Sequence, residues 1–198
     1  MLNLRYSLIA LAIFGVYGCT EIKPEANTAA PTETQAAEAS PQHFFQVHKN
    51  NRIYVFSDAK TYRQFLSHGE VVYAVTRIGV GPQGETVVMG LSKAEKDKLE
   101  KSQVRPTVEV LFDGTQKPEG AFYGEMRKDN RIYVFDDWSE MSKTRKSGEA
   151  TYAHTEVGIG PKGETVVFVL TKAYVKDNPG KRPTAMISLF NKHNLTNR

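Results

Sequence analysis

The chain has 198 residues, of which 40% are hydrophobic and 24% are charged, and its formal net charge is +4. With one cysteine it can form no intramolecular disulfide, and no basic run interleaved with aromatic residues favours nucleic-acid binding. The composition therefore excludes a disulfide-stabilised fold and does not support nucleic acid as a partner.

Residues 1–18 are typical of a secretory signal peptide. Arg5 gives a positively charged start, and residues 8–17 form an apolar segment that ends at the small residue Gly18. The segment is too short for a spanning helix, which needs about 20 apolar residues. We therefore predict export. The alternative, a buried helix of the fold, is disfavoured because the sequence that follows cannot continue a fold.

The four residues Val16-Tyr17-Gly18-Cys19 resemble the lipobox of bacterial lipoproteins. The resemblance covers the targeting segment alone and carries no information about the fold. It implies cleavage before Cys19, a diacylglycerol on its sulfur and an acyl chain such as palmitate on its amine. Several chains anchor stably, whereas one gives only marginal binding. Thr20 in place of Asp implies, by the same resemblance, the periplasmic face of the outer membrane in a Gram-negative cell.

Residues 19–42 are predicted to combine the lipidated cysteine with a disordered tether. Residues 20–42 contain no aromatic residue and consist mostly of Ala, Thr, Glu and Pro. Such a segment cannot bury enough apolar surface to offset the entropy lost on ordering. As a flexible coil it would span roughly 25 Å. The remaining residues, 43–198, carry a formal charge of +6, which is compatible with an anionic envelope component as partner.

An internal duplication is the strongest pattern in the rest of the chain. When the sequence is shifted by 79 residues, positions 49–94 align with 128–173 without a gap, and 24 of 46 residues are identical. We predict two repeat units of about 70 residues, 43–113 and 122–190. A linker, 114–121, joins the units, and a tail, 191–198, follows them.

Each unit is predicted to have the order ββαββ(α)β, with a hairpin and an inner strand Arg-Ile-Tyr-Val-Phe at its start. Unit one contains a helix capped by Ser57 or Asp58, and a surface helix that begins with a Ser92–Glu95 capping box. The last segments, 107–112 and 184–190, are predicted to be strands. The expected fold is α+β, with two pseudo-symmetric units of mostly antiparallel strands and one or two short helices each.

The segment Gly79-Val80-Gly81-Pro82-Gln83-Gly84-Glu85-Thr86 matches nucleotide-binding patterns, and 158–165 repeats it. A phosphate loop must lead into a helix, whereas β-branched strand formers follow here. Glu85 also replaces the expected lysine, and Pro82 removes an amide. We predict a hairpin turn with Gly84 and Gly163 at positive φ, and no nucleotide site.

No other pattern indicates a cofactor, a metal or a catalytic set. The five histidines do not align between the units, and there is no G-x-S-x-G nucleophile motif. The acids that recur in both units have structural roles available as caps, turns or strand ends. They are Asp58 and Asp137, Glu70 and Glu149, and Glu85 and Glu164.

The pairs Arg52–Tyr54 and Arg131–Tyr133 are the candidate binding residues. In both units a guanidinium lies two residues from a phenol on one face of a strand, which could form a platform for an anion or a sugar. A structural alternative is a cation–π contact or an ion pair with Glu70 or Glu85.

The sequence thus predicts a lipid-anchored envelope protein without enzymatic activity that acts as a binding or envelope-interaction module. The expected partners are the membrane, through the anchor, and an envelope protein or an anionic envelope component. The alternative is an enzyme that acts on a periplasmic or cell-wall substrate. Such an enzyme would have a site where His, Asp or Glu side chains converge between the units.

Overall fold

The computed structural model describes residues 42–194, which fall within the unit Glu38–Arg198. The predicted signal peptide, Cys19 and nearly all of the predicted tether lie outside the described residues. The strands are β1 (Gln42–Lys49), β2 (Arg52–Phe56), β3 (Ala74–Arg77), β4 (Thr86–Gly90), β5 (Phe122–Lys128), β6 (Arg131–Phe135), β7 (Ala153–Glu156) and β8 (Thr165–Val169). The helices are α1 (Ala59–His68), α2 (Lys93–Ser102), α3 (Thr107–Phe112), α4 (Trp138–Ser147), α5 (Lys172–Asp177) and α6 (Thr184–Asn194).

The described residues form a mixed α/β fold with one eight-stranded sheet, in the order β3-β4-β2-β1-β5-β6-β8-β7. The hairpins β1–β2 and β5–β6 turn through Asn50-Asn51 and Asp129-Asn130, all at φ between 52° and 59°. Two successive residues at positive φ match the right-handed twist of a hairpin, and Asn and Asp tolerate this conformation best. β2 and β6 are inner strands, as predicted.

The sheet is mixed, although antiparallel pairs are the majority, as expected. Four pairs are antiparallel, but β1–β5, β2–β4 and β6–β8 are parallel. β4 enters the sheet between β2 and β3, so that it runs parallel to β2 while completing a hairpin with β3. A parallel neighbour needs a long crossover connection, which the helices of the chain supply.

Two apolar clusters cover opposite faces of the sheet, because neighbouring strand residues point to opposite sides. Phe44 belongs to the cluster that contains α3 and α4 residues, whereas Phe45 belongs to the cluster that contains α1 and α6 residues. The sheet is therefore buried between two helical layers, and each strand side chain on the inner strands lies against one of them.

The predicted strands at 107–112 and 184–190 are wrong, because both segments are helical. Pro106 and Pro183 precede them, and proline is common at helix starts, where no N–H partner is needed. Val108 and Leu111 in α3 are buried at a spacing of three residues, which fits a helical face. Each predicted unit therefore holds three short helices rather than one or two.

The other helix predictions agree with the structure. Asp58 caps α1 and Gly69 ends it at φ 78°, and Ser92 forms the capping box with Glu95 at the start of α2. No α2 residue is buried, so this helix lies on the surface as expected. In the part of the chain that is described, no helix has both the length and the apolar character needed to cross a membrane.

Replacing Gly124 by Ala should destabilise the fold by about 1–3 kcal/mol, because the new methyl group overpacks the core. Its Cβ would lie 2.5 Å from Met141 Sδ and 2.8 Å from Phe122 Cζ. Urea unfolding of the full chain in detergent measures the change. Gly84→Asn is the control, because its Cβ meets no atom within 4 Å and Asn tolerates the positive φ. Equal stability of the Gly124 variant and the wild type would contradict the packing.

Candidate functional site

A groove with a volume of about 420 Å³ lies between α3, α4 and the segment that leads into β4. We call it the α4 groove. Its lining residues are Val80, Pro82, Leu111, Phe112, Asp113, Gly114, Trp138, Ser142, Arg145 and Lys146. α4 comes from the second predicted unit and the other lining segments come from the first. The groove therefore lies at the boundary where the sequence placed a possible site.

A smaller cavity of about 90 Å³ adjoins the α4 groove and shares Pro82, Arg145 and Lys146 with it. The other side chains around it include His48, Gln83, Glu85 and Lys128. Together the two cavities place apolar and aromatic walls beside several positive charges. This combination is typical of small-molecule sites, which are mostly apolar with a few polar groups that orient the ligand.

Arg145 lies where the two cavities meet. Its Cζ atom lies 4.7 Å from the centroid of the Phe44 ring and 4.8 Å from that of Phe112. Nε donates a hydrogen bond of 2.8 Å to Oε1 of Gln46. Burial lowers the pKa of Arg145 to about 10, although Asp113 opposes this shift. The guanidinium therefore stays charged at neutral pH.

The acidic residues of the groove wall are already paired. Asp113 accepts hydrogen bonds from Arg77, at 2.7 Å, and from Arg105. Glu109, in α3, lies 3.2 Å from Arg105 and 3.8 Å from Arg77. Among the described residues, no carboxylate lies within ion-pair distance of Arg145. The two acids and two arginines pair with one another, which leaves Arg145 without a carboxylate in direct contact.

A second polar cluster lies on the opposite face of the sheet, around Glu125, whose exposed fraction is 0%. Tyr62 and Tyr123 each donate from their hydroxyl groups to a carboxylate oxygen of Glu125 at 2.7 Å. Asn194 Nδ2 donates to the carboxylate at 2.6 Å, and Arg127 Nη2 at 3.3 Å. Burial raises the pKa of both tyrosines, and the charge of Glu125 raises it further. Both hydroxyls therefore remain protonated donors at neutral pH.

Arg127 completes this group, which we call the Glu125 cluster. It donates from Nε to Tyr62 at 2.6 Å, from Nη1 to Glu164 at 3.1 Å and from Nη2 to Asn194 at 2.7 Å. Burial opposes its charge, but the nearby Tyr62, Glu125 and Glu164 outweigh burial and raise the pKa of Arg127. The cluster joins α1, β5 and α6 through satisfied hydrogen bonds, and we interpret it as a structural link.

Two histidines lie beside this cluster. The rings of His43 and His193 have centroids 5.0 Å apart, and His193 stacks on Tyr123 at 4.1 Å. Nε2 of His43 is buried and has no hydrogen-bond partner. Burial, followed by repulsion from His193, lowers the pKa of His43 to about 4. The pair is therefore neutral at pH 7.

The four residues of the predicted platform do not come together. Arg52 and Arg131 are exposed at the starts of β2 and β6. Tyr54 stacks on Phe65 at 4.5 Å, on the α1 face, whereas Tyr133 packs on the face that carries α4. Within residues 42–194 neither arginine has an ion pair or a cation–π contact, so the structural alternative is not observed. Binding by these residues stays a prediction, and Cys19 lies outside the described residues.

The glycine-rich segments form hairpin turns, as predicted. Gly84 N donates to Gly81 O at 3.0 Å, and Gly84 and Gly163 have φ of 82° and 80°. The carboxylate of Glu85 accepts from Gln83 N at 2.8 Å, and that of Glu164 from Lys162 N at 2.7 Å. Each carboxylate thus accepts a hydrogen bond from a backbone amide that, in a phosphate loop, would donate to the ligand. A strand, rather than a helix, follows each turn.

Sequence reasoning missed Arg145 and Gln46, although the duplication contains the information. The shift of 79 residues aligns Arg145 with Leu66 and Gln46 with Glu125. In α4, Arg145 stands where the first unit has the apolar Leu66. In β1, Gln46 stands where the second unit has the acid Glu125. These two differences distinguish the predicted units. The differences between the units, rather than their identities, indicate the site.

Neither a metal nor a known family identifies this groove. In residues 42–194 no group of three His, Cys, Asp or Glu side chains is arranged to hold a metal ion. The charged groups that could orient a ligand are Arg145, Lys146 and Lys128. No protein-family model, curated protein or solved structure matches the chain.

Proposed function

We propose that the protein is an exported, lipid-anchored envelope protein whose folded part is a non-enzymatic binding module, with the α4 groove as its binding site. The observation that carries this proposal is the groove itself. Phe112 and Trp138 supply an aromatic wall, and Arg145 supplies a charge that no carboxylate of the described residues pairs with directly. Such a combination favours ligand recognition.

The anchor is the lipidated Cys19, followed by the tether. Acylation would hold the protein on the periplasmic face of the outer membrane, and a tether of roughly 25 Å would lift the folded part above the headgroups. An envelope protein or an anionic envelope component is then within reach. Because Arg145 has no carboxylate in direct contact, its positive charge favours the anionic envelope component as the partner.

The duplication supports a groove at the boundary between two units. We interpret 43–113 and 122–190 as tandem pseudo-symmetric repeats joined by 114–121. β2 and β6 are both five residues long with the same burial pattern, and Asp58 and Asp137 cap equivalent helices. Repeats that pack on each other create a boundary cleft, where a ligand can contact both.

We prefer binding to catalysis because of the pairing of the groove acids. Asp113 is engaged by two arginines, and Glu85 is bound by the amide of Gln83. His48 accepts a hydrogen bond from Gln46 Nε2, at 2.7 Å, and is not paired with a carboxylate. Acids and bases held in this way are poorly placed for proton transfer, which needs a group in contact with the reacting atoms.

The proposed lipid anchor at Cys19 determines in which cell fraction the protein is found. Cys19→Ala should move the protein from the membrane fraction to the soluble periplasmic fraction, because a chain without acyl groups has no anchor. Fractionation of cells and immunoblotting measure the change. Thr20→Ala keeps the modified cysteine and should remain with the membrane. Retention of the Cys19 variant in the membrane fraction would contradict the lipid anchor.

Trp138, the only tryptophan of the chain, tests the binding site. Because it lines the α4 groove, titration of the full chain with solubilised envelope fractions should give a saturable change in its fluorescence. Ser142→Phe places a ring in the groove and should abolish the response. The absence of a saturable change with every envelope fraction would contradict a binding function for the groove.

A further inference from the structure

We propose that the α4 groove binds an organic oxyanion, whose carboxylate or phosphate group pairs with the guanidinium of Arg145 and whose apolar part lies against Phe112 and Trp138. This inference rests on the proposed function and specifies its ligand. It follows from a comparison of two arginines that the fold partly buries on opposite faces of one sheet.

The two arginines differ in their partners. Arg127 contacts the carboxylates of Glu125 and Glu164 and is also bonded to Tyr62 and Asn194. Arg145 has one hydrogen bond, to the neutral amide of Gln46. A charge removed from water without a counter-charge is costly. Around Arg127, two carboxylates offset the free energy of removing the charge from water. Around Arg145, no side chain places a carboxylate in contact with the guanidinium.

The position of Gln46 in β1 corresponds to that of the acid Glu125 in β5. Gln46 lies opposite Val55 in the β1–β2 ladder, just as Glu125 lies opposite Val134 in the β5–β6 ladder. Both side chains are buried, with exposed fractions of 1% and 0%. An acid is therefore accommodated at this register in one hairpin, and an amide of nearly the same shape stands there in the other. The chain leaves the charge beside Arg145 open for a ligand.

The surroundings of the guanidinium select an oxyanion. The rings of Phe44 and Phe112 lie within 4.8 Å of its Cζ atom and cover the group, so that hydrogen bonds form at its edge. Nε is occupied by Gln46, and the remaining donors belong to the two terminal nitrogens. In the described residues, the only buried side-chain nitrogen or oxygen without a partner is Nε2 of His43. The terminal nitrogens are therefore accessible. Two such donors match a pair of carboxylate or phosphate oxygens.

The walls of the two cavities fit the rest of such a ligand. Lys146 lines both cavities and Lys128 lines the smaller one beside Glu85, so that together with Arg145 the positive charges outnumber the acids around the place of the oxyanion. The 420 Å³ groove exposes Phe112 and Trp138 beyond Arg145, which suits a flat apolar group. Asp113, the acid of the groove wall, is held by Arg77 and Arg105 and makes no direct contact with Arg145.

Three probes test the inference on the full chain in detergent, with Trp138 fluorescence as the readout. Benzoate and phenyl phosphate carry the two oxyanions, and benzyl alcohol is a neutral analogue of similar size. We expect at least one of the two anions to bind at least tenfold more tightly than benzyl alcohol, as loss of a charge-assisted hydrogen bond predicts. Preference for benzoate assigns a carboxylate ligand, and preference for phenyl phosphate assigns a phosphate ligand.

Gln46→Glu is the decisive variant, because it places an internal carboxylate beside Arg145 and leaves every positive charge in place. It should weaken binding of the anion at least tenfold while the protein remains folded. Arg145→Gln should do the same by removing the donor. Arg63→Gln removes an equal charge at an exposed site on α1, outside the groove, and should leave the affinity unchanged within about twofold, since exposed distant charges are screened.

Two results would overturn the inference. One is anion binding that is unchanged in Gln46→Glu, and the other is a benzyl alcohol affinity equal to that of both anions. The second result would leave the proposed binding module intact, because an apolar ligand would still occupy the groove. Failure of all three probes would overturn the oxyanion inference alone, whereas failure of every envelope fraction would overturn the binding function.

Discussion

Replacing Glu125 by Leu is expected to lower the free energy of unfolding by about 3–5 kcal/mol, the largest effect of any single substitution predicted here. Glu125 is fully buried and accepts hydrogen bonds from Tyr62, Tyr123, Asn194 and Arg127. Its removal leaves the buried guanidinium with Glu164 as its remaining carboxylate and leaves Tyr123 without its acceptor. Unpaired buried donors cost more than the pair itself contributes.

A double-mutant cycle separates two contributions to the lost stability: the interaction between Glu125 and Arg127, and the free-energy cost of leaving Arg127 buried without Glu125. Glu125→Leu with Arg127→Met replaces the ion pair by apolar side chains and should recover at least half of the stability lost by Glu125→Leu. Gln46→Leu, at the matching register of β1, removes a neutral group and should cost only about 1–3 kcal/mol. Urea unfolding at pH 7.5 measures these three variants and the Arg127→Met single variant, which completes the cycle. A loss below about 1 kcal/mol for Glu125→Leu would show that the cluster is solvated rather than buried.

The parts of the fold that the sequence predicts are those fixed by local chemistry. Asn50-Asn51 specifies a hairpin, Asp58 and Gly69 specify the ends of α1, and Ser92 with Glu95 specifies the start of α2. Each of these rests on hydrogen bonds or φ preferences within a few residues, which do not depend on the rest of the molecule.

The parts that the sequence does not predict depend on contacts between distant segments. Segment 107–112 is rich in β-branched and aromatic residues and has strand propensity, yet it forms α3, because Val108 and Leu111 bury one face against the sheet. Parallel pairing of β1 with β5 joins residues about 80 positions apart in the chain. No local pattern distinguishes that pairing from an antiparallel alternative, and tertiary contacts outweigh propensity here.

For the candidate site too, the sequence gives the local pattern but not the contacts between distant residues. Repeat identity draws attention to Arg52 and Arg131, which the structure places on exposed strand starts. Arg145 has no equivalent in the other unit, and its importance depends on Phe44, Gln46 and Phe112, which lie on β1 and α3. The predicted repeats differ at Arg145 and at Gln46, and only the packing of the chain shows that these two differences meet.

The stability of the protein should fall by about 1–2 kcal/mol as the pH is lowered from 6.5 to 4, because His43 is held neutral in the fold; this range allows for the screening of a half-buried ring by solvent. Burial and the nearby His193 lower the pKa of His43 to about 4, whereas the unfolded chain takes up a proton near 6.5. The unfolded state therefore binds more protons between these values, which shifts the equilibrium towards it. Below pH 4 both states are protonated, and this contribution no longer changes.

His43→Phe tests this assignment, because a phenyl ring can replace the imidazole that stacks on Phe45 and cannot titrate. Its free energy of unfolding, measured by urea at several pH values, should fall less steeply than that of the wild type below pH 6.5. Part of the slope remains in the variant, since burial also lowers the pKa of His48 and His193. Parallel pH profiles for the His43 variant and the wild type would assign the acid sensitivity to other groups, and the orphaned Nε2 would then have to be solvated in the folded protein.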